Sequence, residues 1–398
     1  MRICFLFNHD QIHQVAHSLP VAIALAKSGF AGEIIVATTT ERMANEVQRM
    51  AGDMLNDRIE HVRLGLKPFT RQLSGMLGRF VPAAKILVYR DNLEFFRSLD
   101  VLVVAEKTSL LLKSQYGLNH LLMIHTRHGA GDRAIGFDKA SSRFDHVLCS
   151  GPKIKQRLIR ETGLPADKIS MVGYPKFDLL AAAHRTALLQ NGRPTVLYNP
   201  HPSPHLSSWY RHGREMLDFF VDNPDYNLIF APHVMLFERN FVLTIDKLTV
   251  NRAGELERRY LRGDNIHIDL GSRASTDMTY TLGADIYIGE ASSQVYEFML
   301  KPRPCIFINS NGHDWRGDPN FRHWEAGEVI SRPDELGPAL ARAQALHTLQ
   351  YRAVQERLFA ESFDLSNEPS SDRAARVIAD IANPNAKRYP TTQVALVA

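Results

Sequence analysis

Four short stretches place chemically capable side chains directly after apolar runs. The first, GEASSQVYEF (289–298), carries Ser292 and Ser293 between Glu290 and Glu297 and follows the apolar run 285–289. It reads as a strand-to-helix turn starting at Gly289. A helix start offers unpaired N–H groups and a partial positive charge, which suits a phosphate. The two serines add hydroxyl donors, and Glu297, one turn further in, can accept hydrogen bonds from a ribose. Serine is also a favoured N-cap, and Ser293 to Glu297 is one residue longer than a capping box, so a plain cap stands beside the phosphate site as a reading.

The second stretch, MIHTRHGAGDRAIGFDK (123–139), holds His125, His128, Arg127, Arg133, Gly129 and Gly131. Glycines allow a ligand close to the backbone, and a histidine at a strand's end can serve as a general base near neutral pH. The third, YNPHPSPHLSSW (198–209), is a proline-shaped loop that includes His201, and the fourth, FAPHVM (230–235), sets His233 at a strand's end. His9, His13 and His17 are spaced four apart, but no carboxylate accompanies them, so a loop lining a cleft is expected there and no metal.

These stretches need elements to position them. Apolar runs at 3–7, 33–38, 59–64, 101–105, 121–125, 146–150 and 169–173 alternate with helical patterns, such as 17–29 with Gly29 as a stop signal. A second series runs at 195–200, 227–233, 266–270, 285–289 and 305–309. Alternation of this kind predicts βαβ units with parallel sheets. The expected organisation is a Rossmann-like domain at 1–183, a connection at 184–194, a second Rossmann-like domain at 195–330, helices at 331–385 and a tail at 386–398. In open α/β sheets ligands bind beyond the carboxyl ends of strands, where all four stretches fall.

The 398 residues are 44% hydrophobic and 23% charged, with a net charge of +4, a balance that does not suggest nucleic-acid binding. The three cysteines, Cys4, Cys149 and Cys305, are scattered among strands and make neither a disulfide framework nor a zinc pattern. With no signal-peptide pattern and no run of about 20 apolar residues, a cytoplasmic protein is expected. Residues 61–90 contain six lysines and arginines, no acid, and interleaved apolar side chains. That segment suits either an anionic membrane surface or a helix with a solvated basic face.

In these motifs the chain resembles the CDP-glycerol glycerophosphotransferases of teichoic-acid and capsule synthesis, within the GT-B architecture. HGAGDRAIGFD matches that family's His-Gly motif through His128, Gly129, the basic Arg133 and Asp138. GYPKFD supplies Gly173, Pro175, Lys176 and Asp178, and ADIYIGEASSQVYEF supplies Ala284, Asp285, Ser292 and Ser293, with Glu290 and Glu297 in place of aspartates. The likeness spans roughly residues 120–310. It implies two Rossmann-like domains facing an interdomain cleft, with the last helices crossing back. A CDP- or UDP-linked donor would lie on the second domain, its diphosphate on Gly289, Ser292, Ser293 and Arg133 and its ribose on Glu297. His233 would join Arg133 in neutralising the leaving group, and His128 would be the general base towards a hydroxyl acceptor, free or lipid-linked. His125, Gly129, Asp138, His201 and Glu290 complete the expected cleft, and no cofactor is called for. A UDP-sugar transferase or a UDP-N-acetylglucosamine 2-epimerase-like isomerase shares this architecture. The isomerase needs acid/base carboxylates, for which Asp10, Asp132 and Glu290 stand available. A non-catalytic nucleotide-binding protein is the third reading.

Overall fold

The structure is a computed structural model that describes residues 1–8, 12–70, 72, 83–127, 129–182, 189, 191–238, 242–244 and 249–383. His128, Asp10 and His9 lie outside the described residues, as do 71 and 73–82 of the basic stretch, most of the 184–194 connection and the 386–398 tail. The chain divides into two compact units. The first takes Met1–His128, Phe137–Ala181 and Phe363–Ala398, and the second takes Gly129–Gly136 and Ala182–Ser362.

The first unit is built on strands β1 (Arg2–Phe7), β2 (Glu33–Thr38), β3 (Glu60–Arg63), β4 (Val101–Val104), β5 (Leu122–Thr126), β6 (His146–Cys149) and β7 (Ile169–Met171). They pair in the order β3-β2-β1-β4-β5-β6-β7, every neighbour parallel. A parallel sheet is covered on both faces, so its inner strands are largely apolar, while the edge strand β3 keeps Glu60 and Arg63 exposed. The two-residue period of β1 divides them: Ile3, Phe5 and Phe7 enter the core that contains the helix Val15–Lys27, while Cys4 and Leu6 enter the core on the other face.

The chain's last described helix, Ser370–Ala382, belongs to this unit. Its Ala374, Ala375, Ile378, Ala379 and Ala382 pack into the core with the helix Val15–Lys27. The Asp178 carboxylate caps its first turn, accepting from Ser370 N–H at 3.1 Å and Ser371 N–H at 2.7 Å. Tyr174 N–H donates to Ser370 Oγ at 2.9 Å. Gly173 (φ +81°) leaves the room this requires, since a Cβ there would sit 2.3 Å from Ser370 Oγ. The GYPKFD motif thus works as the seat of this helix.

The second unit holds β8 (Thr195–Asn199), β9 (Asn227–Phe230), β10 (Val242–Thr244), β11 (Thr249–Asn251), β12 (Ile266–Ile268), β13 (Ile286–Gly289), β14 (Cys305–Ile308) and β15 (Glu328–Ile330). Its main sheet runs β12-β9-β8-β13-β14-β15, again wholly parallel, while β10 and β11 form a separate antiparallel pair. Two doubly wound parallel sheets flanked by helices are a GT-B, Rossmann-like architecture, as the sequence leads one to expect. The linear division differs in two respects. The helices Leu336–Leu346 and Arg352–Ser362 stay with the second unit, and only from Phe363 does the chain rejoin the first. Residues 129–136 belong to the second unit although they follow a strand of the first; the reason is their buried polar contacts, described next.

Candidate functional site

In both sheets the strand order reverses about the first strand, between β1 and β4 and between β8 and β13. That crevice is where open α/β sheets bind ligands. In the second unit it lies between the loop after Asn199 and the turn after Gly289. Glu290, just past β13, is 1% exposed. Its Oε2 accepts from His201 N–H and its Oε1 from Ser208 N–H, both at 2.8 Å, and Oε1 also from the Ser208 hydroxyl. Burial pushes the carboxyl up to about 7, against the pull of those hydrogen bonds. Glu290 therefore ties the 200–208 loop to the end of β13. It presents no carboxyl to a ligand, which corrects its expected place as an open cleft residue. A side chain at Gly289 would meet Tyr287 Oη at 2.6 Å, so glycine is needed for packing at this turn.

Beside it lies a cluster of cationic and neutral nitrogen groups. His201 is 4% exposed, its Nδ1 accepts from Ser203 N–H at 2.9 Å, and its Nε2 faces Arg133 Nη1 at 2.7 Å. A neutral imidazole has one acceptor nitrogen. With Nδ1 engaged, Nε2 carries the proton, and two N–H groups confront one another. Burial and the Arg133 charge hold His201 well below the usual histidine range. His233 lies with its ring centroid 6.2 Å from that of His201, and its Nδ1 accepts from Met235 N–H at 3.3 Å. Burial, then Arg133, pushes it down to about 4. Burial also lowers the Arg133 guanidinium, and no carboxylate among the described residues offsets it. The cluster has a surplus of donors and no counter-ion, which is the electrostatics of an anion site.

The 129–136 loop reaches this place by close backbone approach. Cβ atoms at Gly129 (φ +79°) and Gly131 would lie 3.2 and 3.4 Å from the Ser293 side chain. Asp132, 2% exposed, accepts from Tyr296 Oη at 2.7 Å and from His323 N–H at 3.0 Å, and it faces His323 Nδ1 at 2.9 Å. It too is enclosed and offers no open acid/base group. The helix that follows Ser293 is short, Gln294–Phe298, and Ser292 Oγ accepts from Gln294 N–H at 3.2 Å. Both serines are half-buried.

Three expected site residues are elsewhere. Glu297 is 3% exposed and packs inward from the short helix, so it has no open face for a ribose. His125 lies within β5, not past it, and stacks on Phe144 at 4.6 Å and 9° in the core of the first unit. Asp138 belongs to the first unit, where it pairs with Lys107 at 2.7 Å and caps Ala140 N–H at 2.9 Å. Sequence reasoning missed His323, which no local pattern distinguishes from the other histidines of the chain.

No protein-family model matches the chain, and no curated protein sequence does. Solved structures do. The wall teichoic acid polymerase TagF superposes with a TM-score of 0.58 at 14% identity, covering 96% of this chain and 89% of that one. A putative UDP-N-acetylglucosamine 2-epimerase from Listeria monocytogenes gives 0.59 at 13% identity, covering 96% of each chain. The UDP-GlcNAc 2-epimerase of Neisseria meningitidis bound to UDP-GlcNAc gives 0.57 at 12% identity, covering 97% and 100%. At such identities the likeness is one of fold.

Proposed function

We propose that the chain is a GT-B enzyme whose substrate carries a nucleotide diphosphate, seated at the switch point of the second unit. The observation that carries this reading is the Arg133–His201–His233 cluster, whose donors face one another without a counter-ion. A diphosphate would supply the missing acceptors: Arg133 would turn to it, and its charge would lift His201 and His233 from their depressed range, each ring taking a proton on Nδ1 as that atom gives up its backbone N–H. The hydroxyls of Ser292 and Ser293 would complete the shell. Donors placed where leaving-group charge develops commonly contribute about 2.7–4 kcal/mol each.

The finer reading is a transferase that moves a glycerophosphate, polyol-phosphate or sugar unit from a CDP- or UDP-linked donor to a hydroxyl acceptor, free or lipid-linked. His128, adjoining Gly129 in sequence, is its general base. A second reading, a nucleotide-sugar isomerase, is favoured by the fold likeness to two 2-epimerases. Against it, Glu290 and Asp132, two of its three candidate carboxylates, are buried and hydrogen-bonded. We place the protein in the cytoplasm, with the basic 61–90 stretch against an anionic membrane; Phe69 there is 76% exposed, and no helix among the described residues is long and apolar enough to cross a bilayer.

Calorimetry with CDP and UDP tests the diphosphate site: binding is expected, and no heat with either at millimolar concentration would end the proposal. Incubation with UDP-GlcNAc alone then separates the two chemistries, since an isomerase turns over without an acceptor and a transferase does not. Co-sedimentation with anionic liposomes should fall when Lys67, Arg71 and Arg79 are neutralised; unchanged partitioning removes the membrane contact.

A further inference from the structure

The contacts of Asp132 go beyond those needed to bury a loop. Its Oδ2 receives Tyr296 O–H and His323 backbone N–H and also faces His323 Nδ1. On the far side of the ring, Nε2 lies 2.6 Å from the Glu290 carbonyl, which also accepts from Trp324 Nε1 at 2.9 Å. A carbonyl can only accept, so Nε2 carries a proton. Nδ1 then either donates to a carboxylate or accepts from a protonated Asp132. In both cases one proton is held between the two side chains, which are 2% and 0% exposed. A buried pair of this kind is costly to break, because removing one member strands the other.

We propose that Asp132 and His323 form a proton-sharing clamp that fixes the 129–136 loop over the switch point of the second unit and thereby sets where Arg133 meets the substrate's anionic group. The inference rests on the diphosphate reading above for its functional half. Its structural half rests on Glu290, which serves both sides of the site. The Glu290 carbonyl receives His323, and the Glu290 carboxylate receives the His201 and Ser208 amides. Arg133 adjoins Asp132 in sequence, so the position of Arg133 relative to His201 is set through one residue at the end of β13. Asp132 and His323 are thus positioning residues that act through Arg133 and need not touch the substrate.

The test has two arms. Hydrogen exchange should show the amides of 129–136 protected in the wild type and at least tenfold faster in Asp132→Asn and His323→Gln, with β8 and β13 unchanged. Tyr296→Phe removes a single hydroxyl and gives a smaller increase in a protein that still folds. Unchanged exchange of 129–136 in all three variants overturns the clamp. In the second arm, calorimetry with UDP and CDP closes a double-mutant cycle. Asp132→Asn should weaken binding about tenfold in the wild type but less than twofold in an Arg133→Ala background. An equal loss in both backgrounds means that Asp132 does not act through Arg133 and overturns the positioning role. If the wild type binds neither nucleotide, the diphosphate reading fails and the positioning role with it, while the exchange arm still decides whether the clamp exists.

Discussion

The two switch points have the same topology and different electrostatics. Each carries a buried carboxylate just past the strand beyond the reversal, Glu106 after β4 and Glu290 after β13. Glu106 accepts from Tyr89 Oη at 2.5 Å, Thr108 N–H at 2.6 Å and Ser109 N–H at 3.1 Å, and Lys85 Nζ lies 3.8 Å away. Lysine and carboxylate cancel there, and Asn8, just past β1, donates to the Lys85 carbonyl at 2.9 Å. In the second unit the carboxylate is directed at amides, and the Arg133 cluster beside it keeps its charge. The same scaffold thus neutralises one crevice internally and leaves the positive charge of Arg133 uncompensated beside the other.

The comparison breaks most visibly at the carboxylates themselves. Glu290→Ala leaves two buried N–H groups unmet, at about 1–3 kcal/mol each, so a loss of roughly 2–6 kcal/mol in urea unfolding is expected, with nucleotide affinity lost as well. Glu106→Ala should destabilise the protein while its folded fraction binds UDP or CDP as before. If both substitutions abolish binding, the two crevices are not distinct in function.

The cations come next. Arg133→Ala is expected to lower kcat about 10²–10³-fold, whereas Lys85→Ala leaves kcat/KM within about twofold. A large loss at Lys85 would move the anion site to the first unit.

Stability against pH gives a third measure. Because burial raises Glu290 to about 7, its contribution is full below the ordinary carboxylate range and fades as pH rises through 7. It amounts to roughly 3 kcal/mol at most. The stability gap between wild type and Glu290→Gln should shrink by that order from pH 4.5 to pH 8; a constant gap means Glu290 is ionised throughout.

The smallest effect expected is proton uptake on binding. His201 and His233 are held low in the free protein, His233 near 4, and an anion raises both. Nucleotide affinity should therefore rise several-fold from pH 7 to pH 5. Binding heats should also differ between buffers of different ionisation enthalpy. Heats independent of buffer would place the phosphates away from the imidazoles.

Much of the fold was legible because buried parallel strands read as continuous apolar runs. Every run read as a strand is one. The strands that escaped are three residues long. In β15, Glu328–Ile330, the pattern is too short to carry a period, and β10 with β11 forms an antiparallel pair within a chain otherwise read as βαβ. The grouping of Gly129, Arg133, His201, His233 and Ser293 followed from one rule, that ligands gather at strand carboxyl ends. His125 failed by the same rule through a shift of one residue: the strand continues to Thr126, so the ring points into the core. Glu297 failed because the helix after Ser293 turns that position inward. Asp132 and His323 are 191 residues apart, a pairing that no local spacing announces.

The seat of the helix Ser370–Ala382 has a consequence for how the protein is made. The core around the helix Val15–Lys27 lacks one wall until that helix arrives. A ribosome must add about 200 further residues after Ala181 before it emerges, on the order of 10–40 s at common synthesis rates. During that interval the nascent first unit exposes an apolar face, and a fragment ended before Ser370 would keep it exposed for good.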